Sequence, residues 1–144
     1  MSRYLIVLHP TALSPELKRK VSSLVAEDPA AEFAVLVPEA PGVPVTWEGE
    51  TIDVARQRAE AAKTLLEETS GARVFRTAVG APRPLQAIGD ELLVHPGYAA
   101  LVICTSPPPG VSRWLKLDLV HRARRKFGLR VIHVVAEAPV QARA

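Results

Sequence analysis

Short apolar runs alternate along this chain with longer stretches whose apolar residues recur at helical spacing. Residues 4–8 (YLIVL) form an apolar run of strand length. Ser14-Pro15-Glu16 then reads as a helix start, with a capping hydroxyl, a proline in the first turn and an early acid. Leu17, Val21, Leu24 and Val25 continue that helix until Asp28-Pro29. Residues 33–37 make a second strand, and a Pro- and Gly-rich loop covers 39–50. Thr51 reads as the cap of the longest helix, with Asp53 in its first turn. Its inward stripe is Ile52, Ala55, Ala59, Ala62 and Leu66, and Gly71 stops it. A strand over 72–79, a helix over 84–94, a strand over 100–103, a helix over 112–127 stopped by Gly128, and a strand over 129–135 complete the pattern.

The order β-α-β-α-β-α-β-α-β has a direct consequence. Strands written as continuous apolar runs, each joined by a helix, predict a parallel sheet covered on both faces. The expected fold is α/β, a three-layer sandwich of one domain over residues 1–136. The tail 137–144 (EAPVQARA) has nothing to pack and is expected to fray.

Composition narrows the class. The 144 residues suffice for a full core, and no apolar run approaches the roughly 18–20 residues of a membrane span. The first run is too short for a signal peptide and reads as a strand. Cys104 is the lone cysteine, which excludes an internal disulfide and a cysteine-based zinc site. These features predict a cytoplasmic protein. Net charge is +3, but residues 110–130 carry seven basic residues against Asp118 alone, leaving the remainder of the chain acidic.

The turn after residue 103 is where an α/β protein places a phosphate-binding loop. A phosphate cradle needs backbone N–H donors and residues free to take positive φ. Pro107, Pro108 and Pro109 have no N–H, and their φ is fixed near −65°. The architecture is a nucleotide binder's; the loop chemistry argues against one.

Two segments carry a resemblance to a family. Val79-Gly80-Ala81-Pro82 is similar to a Gly-x-Pro turn that opens the third helix, and Gly110-Val111-Ser112-Arg113 is similar to a Gly-Leu-Ser-Arg segment. On these residues, and on the element order along its whole length, the chain resembles the universal stress proteins (UspA-like). The resemblance implies a Rossmann-like, adenine nucleotide α-hydrolase-like fold with sheet order 3-2-1-4-5. It also implies a role in the stress response and dimerisation through the fifth strand. ATP-binding members carry three spaced glycines, the last followed by Ser or Thr. An ungapped alignment puts Cys104, Pro107, Leu117 and Asp118 at those places, and His9 where the family has an acid, with Thr11 nearby. The chain therefore resembles the branch lacking the ATP-binding glycine motif, with ATP binding weak or absent and no cofactor expected.

In such a sheet the strand order reverses between the first and fourth strands, and a ligand would sit beyond their C-terminal ends. His9, Thr11, Val37, Thr105, Ser106, Gly110, Ser112 and Arg113 are the candidate ligand-binding residues, with Val37-Pro38 expected to line one side. Each also has a structural reading, as a helix cap or loop closure. No acid is placed to orient His9 as a base for Thr11, and His95, His121 and His133 show no metal-ligand spacing. Catalytic and metal residues are therefore not assigned. Val131, His133 and Val135 are candidate dimer-interface residues, because an apolar edge strand invites pairing. The leading expectation is a non-catalytic regulatory or protective homodimer with a degenerate nucleotide site. The alternatives are a sensor of a small ligand, nucleotide or anion, and a weak nucleic-acid binder using basic helix 112–127. In that helix Leu115, Leu119, Ala123 and Phe127 form an inward stripe, which leaves Arg122, Arg124, Arg125 and Lys126 as a solvated face. Specific nucleic-acid binding and membrane binding are not expected.

Overall fold

Strand β1 (Arg3–Leu8) lies at the centre of a five-stranded sheet of order β3-β2-β1-β4-β5. The computed structural model describes residues 2–8, 14–38, 48–81, 83–105 and 112–135, and the side chains of all of these except 48–54 and 112–118. The other strands are β2 (Glu32–Pro38), β3 (Arg73–Gly80), β4 (Ala100–Thr105) and β5 (Arg130–Val135), and all pairings are parallel. Central strands are apolar throughout because both faces are covered. Tyr4, Ile6 and Leu8 pack with residues of α1 (Pro15–Glu27) and α2 (Glu48–Ser70). Leu5 and Val7 pack with residues of α3 (Pro84–Val94) and α4 (Ser112–Phe127).

Helix α1 follows its sequence signals closely. Ser14 Oγ accepts from the Leu17 N–H at 3.2 Å, Pro15 sits in the first turn, and Leu17, Val21 and Leu24 are buried. Such a cap is worth about 1 kcal/mol. Helix α2 corrects the sequence reading: it begins at Glu48, so Thr51 lies inside the helix and is not its cap. Glu48 and Glu50 suit a first turn, because acids there meet the positive end of the helix dipole. The stripe of Ala55, Ala59, Ala62 and Leu66 is buried as expected, and Gly71 ends the helix at φ +67°. Ile52 and Leu115 belong to the side chains outside the described set. In α4 the buried residues are Val120 and Ala123, with Leu119 and Phe127 partly buried beside them.

The third strand differs from its neighbours. Phe33 pairs with Val74 but Ala34 pairs with Arg76, so Phe75 is an extra residue in the ladder. The bulge puts Arg76 opposite Ala34, which belongs to the α3/α4 core. At the other end, Gly80 makes a close approach possible. A Cβ there would lie 2.5 Å from the Ala87 Cβ and 3.2 Å from Leu36 Cδ1. The glycine of the Gly-x-Pro turn thus lets α3 seat against β3.

Candidate functional site

The strand order reverses between β1 and β4, with β2 on one side and β5 on the other. Beyond their C-terminal ends lies a shallow depression lined by Val7, Leu8, Pro38, Pro84, Ile103, Cys104, Thr105 and Leu119. Its free volume is about 10 Å³, room for about one water. The walls are apolar. As described, the depression offers contact surface and few hydrogen-bonding groups.

The expected site residues fall into three groups. Thr105 lines the depression. Val37 does not: it points into the α1/α2 core at 1% exposure, and its neighbour Pro38 takes the lining position. Side chains alternate along a strand, so one residue of register decides which of the two faces the site. His9, Thr11, Ser106 and Gly110 lie outside the described residues. Ser112 and Arg113 are the first residues of α4, and their side chains are outside the described set.

Cys104 is the next-to-last residue of β4. It is fully buried, pairs in register with Leu8 and packs in the α1/α2 core. Burial pushes its thiol up to about 12, against a smaller opposing effect of a hydrogen bond with Ser14. A thiol so far from ionisation is a small core residue, not a nucleophile.

Thr105 has a partner that sequence spacing did not reveal. Its Oγ1 lies 2.9 Å from His133 Nε2 across the β4–β5 boundary. His133 is half-buried; burial, and then the Arg124 guanidinium, hold its pKa below the usual histidine value. Arg124 Nη2 also donates to the Val131 carbonyl at 3.3 Å. Among the expected interface residues, Val131 points into the α3/α4 core, His133 is half-buried, and Val135 is exposed. On α4, Arg122, Arg124, Arg125 and Lys126 are all exposed, as the inward stripe predicts.

A second polar cluster lies under α3. Glu91, 5% exposed, accepts from Arg76 Nε at 2.8 Å, from Arg76 Nη2 at 3.1 Å and from the Tyr98 hydroxyl at 3.0 Å. Burial first, then the Glu91 charge, pushes the Tyr98 phenol far above its usual range. A signal was present in the sequence: Glu91 shares a helix face with Ala87 and Ile88, and an acid on a buried face requires donors. Among the described residues no cluster of His, Cys, Asp and Glu could hold a metal ion. No helix of the described residues is long and apolar enough to cross a membrane.

A parallel sheet with this order and a switch point between β1 and β4 defines a Rossmann-like α/β protein. No protein-family model and no curated protein matches the sequence. Among solved structures, the universal stress protein UspA from Lactobacillus plantarum superimposes with a TM-score of 0.61. The match covers 92% of this chain and 97% of that one, at 14% sequence identity. The chain therefore has the fold of a universal stress protein.

Proposed function

We propose that this chain is a universal-stress-protein-like cytoplasmic domain, non-catalytic and regulatory or protective, acting as a homodimer with a degenerate nucleotide site. The observation that carries this reading is Cys104. The family resemblance aligns it with the first glycine of the ATP-binding motif, and here its side chain is buried in the core at the end of β4. A phosphate would find a packed thiol where the family's glycine leaves the backbone open. The proline run that follows supports the same reading, since Pro107 withdraws a backbone donor.

The choice of β5 for pairing rests on the contrast between the two sheet edges. Strand β3 is interrupted by the Phe75 bulge, and bulges blunt edges. Strand β5 pairs with β4 without a register shift from Ala100↔Arg130 to Thr105↔Val135. Its outer edge is regular, and Val135 is 45% exposed. Light scattering at micromolar concentration tests the dimer: a two-fold assembly is expected, and a monomeric mass would contradict it. A thermal-shift screen with nucleotides tests the site, because a ligand of the native state raises the Tm. No shift is expected. A clear shift with one nucleotide or with inorganic phosphate would favour a sensor instead.

A further inference from the structure

On the α3/α4 face of the sheet, two contacts fasten the edge strand β5. Near its start, the Val131 carbonyl accepts from Arg124 of α4 at 3.3 Å, and the Val131 side chain is buried. Further along, the half-buried His133 ring places Nε2 2.9 Å from the hydroxyl of Thr105, the last residue of β4. Thr105 is 2% exposed, whereas Val135, its partner in register, is 45% exposed. On this face the imidazole adds to the hold that the β4–β5 ladder and buried Val134 already give the C-terminal half of the edge strand. We propose that His133 is a proton-operated latch: neutral, it fastens the end of β5 to β4, and protonation in mildly acidic solution releases that end.

The chemistry follows from the donor count. A neutral imidazole has one N–H and one lone pair, so Nε2 can accept the Thr105 O–H. A protonated ring donates from both nitrogens. Thr105 must then accept, and its hydroxyl proton turns away from the ring. The contact can survive this reversal, but the new charge is half-buried and close to a guanidinium. Among the described residues, Arg124 is the charged group of α4 that acts on the ring, and no carboxylate offsets it. Strand β4 contributes a hydroxyl and no charge. Strand β5 contributes Arg130 at its exposed start. Helix α1 packs on the other face, where Ile132 and Val134 point.

The direction of the effect is fixed by linkage. In the released strand the ring titrates near 6.5, and in the fastened strand it titrates lower. The latch is at full strength above pH 6.5 and weakens as pH falls from there through the fastened-state value. Each unit of difference makes release about tenfold more frequent.

The test is an NMR titration of the histidine rings in the full chain, with hydrogen exchange of the β5 amides from pH 7.5 to pH 5. His133 is expected to titrate below 6.5. Protection at residues 133–135, corrected for intrinsic exchange, should fall about tenfold per unit of depression while β1 stays constant. His133→Gln, which keeps a hydrogen-bonding group beside Thr105 without a titrating proton, should abolish that fall. A His133 pKa at or above 6.5, constant β5 protection, or the same fall in His133→Gln overturns the proposal. Should that variant fail to fold, the wild-type titration and exchange profile still decide.

Discussion

Replacing Arg76 by methionine tests whether the cluster under α3 acts as a buried ion pair. The change keeps the aliphatic stem and removes the guanidinium that makes two hydrogen bonds to Glu91. The Glu91 carboxylate, its side chain 5% exposed, is then left with the Tyr98 hydroxyl. Removing one partner of a buried pair costs about 3–5 kcal/mol. The Arg76 side chain is 33% exposed, so water reaches the vacated position and the low end applies, about 3 kcal/mol. Glu91→Met alone should cost less, about 1–2 kcal/mol, because the partly exposed guanidinium can hydrate and the main loss is the Tyr98 acceptor. In the double variant no charge is buried, so adding Glu91→Met to Arg76→Met should restore about 1–2 kcal/mol. Urea unfolding followed by circular dichroism measures all three variants, provided the m-value stays constant. A loss below about 1 kcal/mol for Arg76→Met would refute the reasoning, as would a double variant less stable than Arg76→Met.

Three further outcomes are expected. Gly80→Ala should lose about 1–3 kcal/mol by overpacking against Ala87; Ala87→Gly in the same chain should recover part of it, less about 1 kcal/mol for a helical glycine. Wild-type stability from Gly80→Ala alone would show that α3 seats differently. Cys104, with its thiol pushed up to about 12, should resist a thiol-specific disulfide reagent at pH 8 until the protein unfolds, since about one molecule in 10⁴ is then ionised; rapid native-state labelling would contradict the burial. Tyr98 holds its proton more tightly in the folded state than its ordinary value of 10.0, so its contribution is complete below about pH 10 and is lost as pH rises beyond it. Tyr98→Phe should show a shallower alkaline loss of Tm, and an unchanged profile would contradict the assignment.

Where local signals agreed with tertiary packing, the sequence sufficed. Helix α1 shows it best: its cap, first-turn proline and stripe of Leu17, Val21 and Leu24 each appear as read. Strands β1, β2 and β4 were legible as apolar runs, because strands buried on both faces leave no other pattern; the edge strands β3 and β5 mix in polar residues and were legible from their place in the alternation. The sheet order came from the family resemblance, since periodicity alone does not order parallel strands. Thr51 misled because a good capping residue inside a helix looks the same in one dimension as one at its start. Of the Val37-Pro38 pair expected to line one side, Pro38 does and Val37 does not, because pairing register decides which of two successive residues faces the site. The Thr105–His133 contact joins residues 28 positions apart, and it exists only because β5 lies beside β4. The Arg76–Glu91 pair depends on the Phe75 bulge, which no composition signal announces.

Titration calorimetry with Mg-ATP tests the central proposal, that the nucleotide site is degenerate in this chain. Side chains in place of the motif's glycines take away the conformations that aim backbone N–H groups at phosphate, and Pro107 has no N–H to offer. Each hydrogen bond to a charged group is worth about 1.5–3 kcal/mol, so losing two costs roughly 3–6 kcal/mol. That moves a micromolar site to the millimolar range or beyond. The account predicts no saturable heat at sub-millimolar ATP. A dissociation constant below about 10 µM would contradict it and show that the loop after Thr105 binds ATP without the family's glycines.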